Sequence, residues 1–128
     1  PGLKAFMTNP NVSKAVADFY DLDHNAQEIV NQFNALKKAG KLEEAKKYFY
    51  EALKINDQYA NTHFALGMIA EMEADLQSAF YSTIQAIKLN KSKDVLYQNS
   101  VKQAFEISKK IIATEKIIVR KSNISPSK

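Results

Sequence analysis

The chain has 128 residues, 45% of them hydrophobic and 25% charged, with three glycines, three prolines and no cysteine. This is the composition of one ordinary folded domain; it excludes disulfides, thiolate chemistry and cysteine-ligated metal, and it offers too little turn chemistry for a barrel or sandwich. The formal charge of +4 is uneven: nine lysines meet eleven carboxylates up to Asn90, whereas nine cations meet only three carboxylates from Lys91 on.

From the N-terminus, a first amphipathic helix is predicted from about Pro10 to Tyr20, with Asn9 as N-cap, Pro10 in the first turn and Val12, Val16, Phe19 and Tyr20 on one face. With Leu3, Phe6 and Met7 before it, this segment either packs on the first helix pair or lies across a binding surface. Asp21 to Asp23 break it. Paired helices are then predicted near His24 to Ala39, Leu42 to Ile55, Gln58 to Glu73 and Leu76 to Leu89. Gly40 tolerates the left-handed backbone that ends the first of these, and Glu43 and Glu44 suit the positive N-terminal end of the second. A last helix from about Lys93 to Thr114 carries Tyr97, Val101, Ala104, Phe105, Ser108, Ile111 and Ile112 at helical spacing, and a basic tail spans 116–128. No apolar run reaches the roughly 20 residues of a membrane span, and no leader-like segment opens the chain. A soluble, cytoplasmic protein is the expectation.

Four pairs of equivalent residues lie 34 positions apart: Leu42 and Leu76, Ala45 and Ala79, Ala52 and Ala86, Ile55 and Leu89. With Leu66-Gly67 in the first helix of the second unit, this pattern resembles the tetratricopeptide repeat, whose 34-residue unit is a helix–turn–helix. The resemblance is strong from Gln27 to Lys93 and weaker through Tyr97 and Ala104. It implies an all-α, α-α superhelix of antiparallel helix pairs: an N-terminal extension over 1–23, then a domain over 24–115 with repeats near 26–59 and 60–93 and a capping helix near 93–114. Two departures stand out. Gln32-Phe33 replaces the apolar–small pair of the first unit, implying a looser or differently packed first helix, and Asp57 and Lys91 replace the proline at the unit boundaries. Asp57 is expected to end one helix and cap the next through its carboxylate.

The resemblance implies a module that binds a peptide or partner-protein segment along a concave face lined by the first helix of each unit. The lining positions would be Val30, Asn31, Asn34 and Lys38, then Asn61, Phe64, Ala65, Met68 and Met72, and finally Gln98, Asn99, Lys102 and Phe105. Amides there can satisfy a peptide backbone, and Phe and Met accept apolar side chains. Co-chaperone members grip a C-terminal carboxylate with a Lys, Asn and Arg clamp; this chain keeps Asn34 but has Val30, Ala65, Val95 and Asn99 at the other positions, which disfavours that use.

Other chemistry is poorly represented. His24 and His63 begin no metal or catalytic spacing, His63 being expected partly buried and hydrogen-bonded. Glu43, Glu44, Glu71 and Glu73 read as solvated helix faces, and no phosphate loop or nucleophile motif is present. The expectation is therefore no enzyme, no cofactor and no metal. Two alternatives are carried. Lys109, Lys110, Lys116, Arg120, Lys121 and Lys128 offer a basic segment for nucleic acid or an anionic membrane, disfavoured because Ile117, Ile118 and Val119 read as a strand or buried extension. Tyr48, Tyr50, Phe80 and Tyr81 offer a surface for a homodimer.

Overall fold

The computed structural model describes residues 9–20, 26–92 and 94–123, without the side chains of residues 26, 27 and 123. These residues form six helices and no strand: α1 (Pro10–Phe19), α2 (Ala26–Lys38), α3 (Leu42–Ile55), α4 (Ala60–Met72), α5 (Leu76–Leu89) and α6 (Val95–Asn123). Local chemistry sets their ends. Asn9 caps α1, its side chain accepting from the Asn11 amide at 2.8 Å. Asp75 caps α5 by accepting from Ser78 N. The Asp94 carboxylate accepts from Tyr97 N at the start of α6, and hydrogen bonds led by the Asn90 side chain hold its carboxyl below the usual range. Asp57 does not cap α4 as predicted: Tyr59 occupies the N-cap without a side-chain bond, while the Asp57 carbonyl lies 2.8 Å from Nε2 of half-buried His63.

The 34-residue period extends to the backbone of the two helical turns. Gly40 and Ala74 both have positive φ, 73° and 63°. After the first turn Lys41 N donates to Leu36 O, and after the second Asp75 N donates to Ala70 O, each at 2.9 Å. These are Schellman closures, which satisfy a carbonyl the helix end would otherwise leave unpaired.

The two pairs differ in how closely their helices approach. In α4–α5 a Cβ on Gly67 would overlap Thr83 Oγ1 and lie 3.2 Å from Ala79 O, so only glycine permits this packing distance. Ala79, Thr83 and Ala86 are fully buried against it. In α2–α3 the positions 34 residues earlier than Gly67 and Thr83 are Phe33 and Phe49, whose rings lie 6.3 Å apart between the helices. The different packing of the first helix, one of the two outcomes expected from Gln32-Phe33, takes the form of a wedge of two phenyl rings.

Helix α1 fills the opening. Phe19 meets Phe33 and Phe49 edge-on at 6.3 and 5.4 Å and stacks on Phe64 of α4 at 6.1 Å. Val12, Ala15 and Val16 are buried beside it in the same core as Leu36, Leu42, Leu66 and Ile69. Helix α1 is accordingly part of the core; Leu3, Phe6 and Met7, the rest of the predicted N-terminal segment, lie outside the described residues. At its end the Tyr20 hydroxyl bonds Thr62 Oγ1 at 3.0 Å, and burial pushes its phenol up to about 12.

Candidate functional site

Helices α4 and α6 are in contact, and α2 reaches α4 through a lysine near its C-terminal end. Lys37 Nζ of α2 donates to the Met72 carbonyl of α4 at 2.6 Å, and Lys110 of α6 pairs with Glu71 of α4 at 2.7 Å. Gln103 Nε2 reaches Phe64 O at 3.4 Å and Thr83 Oγ1 at 2.9 Å. Because 64 to 103 and 71 to 110 are equal steps, α4 and α6 run in the same direction. Thr83 also donates to Ala79 O, so the point where α4, α5 and α6 meet carries a hydrogen-bonded relay rather than an orphaned polar group.

On this row the predicted lining residues divide into three groups. Asn31, Asn34 and Lys38 of α2 and Gln98, Lys102 and Phe105 of α6 are exposed. Val30, Phe64, Met72 and Asn99 are half-buried, Phe64 being covered on one side by Phe19. Asn61, Ala65 and Met68 are 8%, 0% and 4% exposed. The assignment of these three to a ligand-facing wall is corrected: α4 is apolar around most of its circumference, as a helix enclosed by neighbours must be, and Ala65 and Met68 belong to the core. The accessible surface therefore has amides and cations on α2 and α6 as its two banks, with Phe64 and Met72 between them.

Most of the remaining candidate side chains have structural duties. Glu71 and Glu73 hold Lys110 and Lys46, and Glu44 accepts from Asn9 N at 3.2 Å. Lys46 is raised above its ordinary range chiefly by its hydrogen bond to Glu73. His24 and Lys128 lie outside the described residues. Tyr50 and Tyr81 are exposed on α3 and α5, whereas Tyr48 and Phe80 are half-buried, Tyr48 edge-on to Phe49. The predicted strand or buried extension at Ile117 to Val119 is corrected: these residues are exposed turns of α6, which continues to Asn123 instead of ending near Thr114. No described helix is long and apolar enough to cross a membrane.

Two clefts were not foreseen from the sequence. One, of about 290 Å³, is lined by Tyr20, Tyr48, Tyr59 and Thr62 with Ile55 and Asn56, the rings of Tyr20 and Tyr59 stacking at 5.8 Å. The second, of about 530 Å³, opens between α1 and α2, with Lys14, Glu28 and Gln32 among its lining residues. Both depend on where α1 docks, which periodicity within one helix does not specify. Comparison of the chain with family models, curated proteins and solved structures finds no match.

Proposed function

We propose that this chain is a tetratricopeptide-like helical-repeat module that holds a peptide or a segment of another protein across the banks of α2 and α6, and that it performs no catalysis. The observation that carries the reading is the row α2–α4–α6, tied together by Lys37 to Met72 O and Lys110 to Glu71. Helices tied to one another in this way offer a partner a continuous surface, and stacked helical units characteristically use such a surface for binding. Further support comes from the repeated turn closures and from the Gly67 contact, which set the geometry within the helix pairs. Asn34, Lys38, Lys102 and half-buried Asn99 supply polar contacts, and Phe64 and Met72 an apolar floor.

The test uses peptides selected from a random display library against the whole chain. Binding is then compared with that of a variant carrying Asn34→Ala, Lys38→Ala, Asn99→Ala and Lys102→Ala, whose helicity is checked in parallel. Loss of binding with helicity retained is expected. Selected peptides that bind the variant as well as the parent place recognition elsewhere and end this reading.

A further inference from the structure

Helix α6 spans about 43 Å at 1.5 Å per residue, roughly twice the length of α5 against which it packs. Its packed side is Ser100, Gln103 and Ile107. From Ile112 to Ser122 every residue is exposed. A free helical stretch of this length is marginal in water, and its apolar side chains gain nothing until something covers them.

Those side chains are arranged regularly. Phe105, Ile112 and Val119 recur every seven residues, as do Ala104, Ile111 and Ile118 beside them, so that one stripe runs for about 27 Å from Val101 to Val119. Val101, Phe105, Ile112 and Val119 are 44% to 61% exposed. Along one edge Lys102, Lys109 and Lys116 recur with the same period, and all three are exposed. Lys109 lies over the Phe105 ring at 5.1 Å and pairs with Glu106, while Lys102 and Lys116 have no ion-pair partner among the described residues. Glu115 is the one carboxylate within the stripe, and it too is exposed.

We propose that this stripe docks one amphipathic helix of a partner protein, with carboxylates along the edge that meets Lys102, Lys109 and Lys116 and a basic residue opposite Glu115. Charge selects this occupant over a second copy. Antiparallel pairing of two α6 helices sets lysine row against lysine row, and parallel pairing sets the lysines against alanine and isoleucine; neither neutralises them. Glu115 also argues against a membrane, since burying a carboxylate amid apolar contacts without a counter-charge is costly, whereas a partner helix supplies the counter-charge and thereby fixes register. This face adjoins the α2–α4–α6 surface, sharing Lys102 and Phe105 with its α6 bank, and extends beyond it from Lys109 to Val119.

Two labelled synthetic helices decide the matter. They share a leucine seam with one central lysine, one carrying glutamate and the other lysine on its flanks, and each is titrated into the 128-residue chain by fluorescence anisotropy. The glutamate helix binds, and the lysine helix binds about tenfold or more weakly. Lys109→Glu with Lys116→Glu inverts that preference, and Ile112→Glu or Val119→Glu abolishes binding while melting and helicity stay unchanged. Equal binding of the two helices, a preference that fails to invert, or normal binding by Ile112→Glu overturns the proposal. A dimer of the chain that Ile112→Glu dissolves in sedimentation, or flotation with anionic lipid vesicles that Val119→Glu abolishes, also overturns it by giving the stripe to another occupant. None of the four substituted residues belongs to the α2–α4–α6 banks, so failure here leaves that reading standing.

Discussion

Replacing Gly67 with alanine sets two opposing effects against each other. In an exposed helix interior the change would stabilise the fold by about 1 kcal/mol, because alanine loses less backbone freedom on folding. Here the new Cβ would overlap Thr83 Oγ1 and crowd Gln103 Nε2 at 3.0 Å and Ala79 O at 3.2 Å. Two of these groups are backbone or fully buried and cannot swing away, so either α4 and α5 separate or the Thr83 relay breaks. Overpacking of this kind costs about 1–3 kcal/mol, and each lost hydrogen bond costs about 1 kcal/mol. The net expectation is a destabilisation of about 1–3 kcal/mol, or roughly 4–10 °C in Tm for a domain of this size. Thermal and urea unfolding followed by circular dichroism measure it. Thr83→Ala removes the atom that is struck, so Gly67→Ala combined with Thr83→Ala loses less stability than the two single changes added together. A neutral or stabilising Gly67→Ala, or strict additivity, refutes the close packing of α4 on α5.

Other parts of the fold give three further expected outcomes. Ala74→Gly relieves a left-handed alanine and raises stability by up to about 1 kcal/mol, whereas Gly40→Ala at the equivalent turn lowers it by a similar amount, both read from urea midpoints. Phe19→Ala removes the ring shared by Phe33, Phe49 and Phe64 and costs about 3–5 kcal/mol in the same assay; a cost below about 1 kcal/mol would show that α1 is only an appendage. Tyr20 is neutral and hydrogen-bonded when folded, with its phenol raised to about 12 from 10.0, so its contribution is complete below pH 10 and is lost as pH climbs toward 12. Burial also raises the Tyr48 phenol, so ultraviolet titration should show more than one late-ionising phenol, of which Tyr20→Phe deletes the last; an unchanged last step in that variant would assign it to another tyrosine.

The parts of the fold written in local chemistry were legible in the sequence. The bounds of α3 and α5 match the predicted ones because Leu42 and Leu76 begin, and Ile55 and Leu89 end, two equivalent stretches. The left-handed turn at Gly40 was readable from glycine alone, but its counterpart at Ala74 was not, since alanine carries no such preference. Gln32-Phe33 signalled a looser or differently packed first helix, but not that Phe19 would pack against Phe33 and Phe49, a contact between different helices that periodicity within one helix does not specify. For the same reason Ala65 and Met68 read as groove residues when α4 is instead enclosed. The predicted end of α6 at Thr114 relied on the thinning of its packed face. The helix continues because no glycine or proline interrupts Val95 to Asn123.

The central claim, that the row of α2, α4 and α6 is the working surface, is tested most directly by mapping amide chemical shifts of the labelled chain as a library-selected peptide is added. The perturbed amides are expected to cluster around Asn34, Lys38, Phe64, Met72, Asn99 and Lys102. Perturbation confined to α3 and α5, or to the cleft at Tyr20, Tyr48 and Tyr59, would contradict that claim.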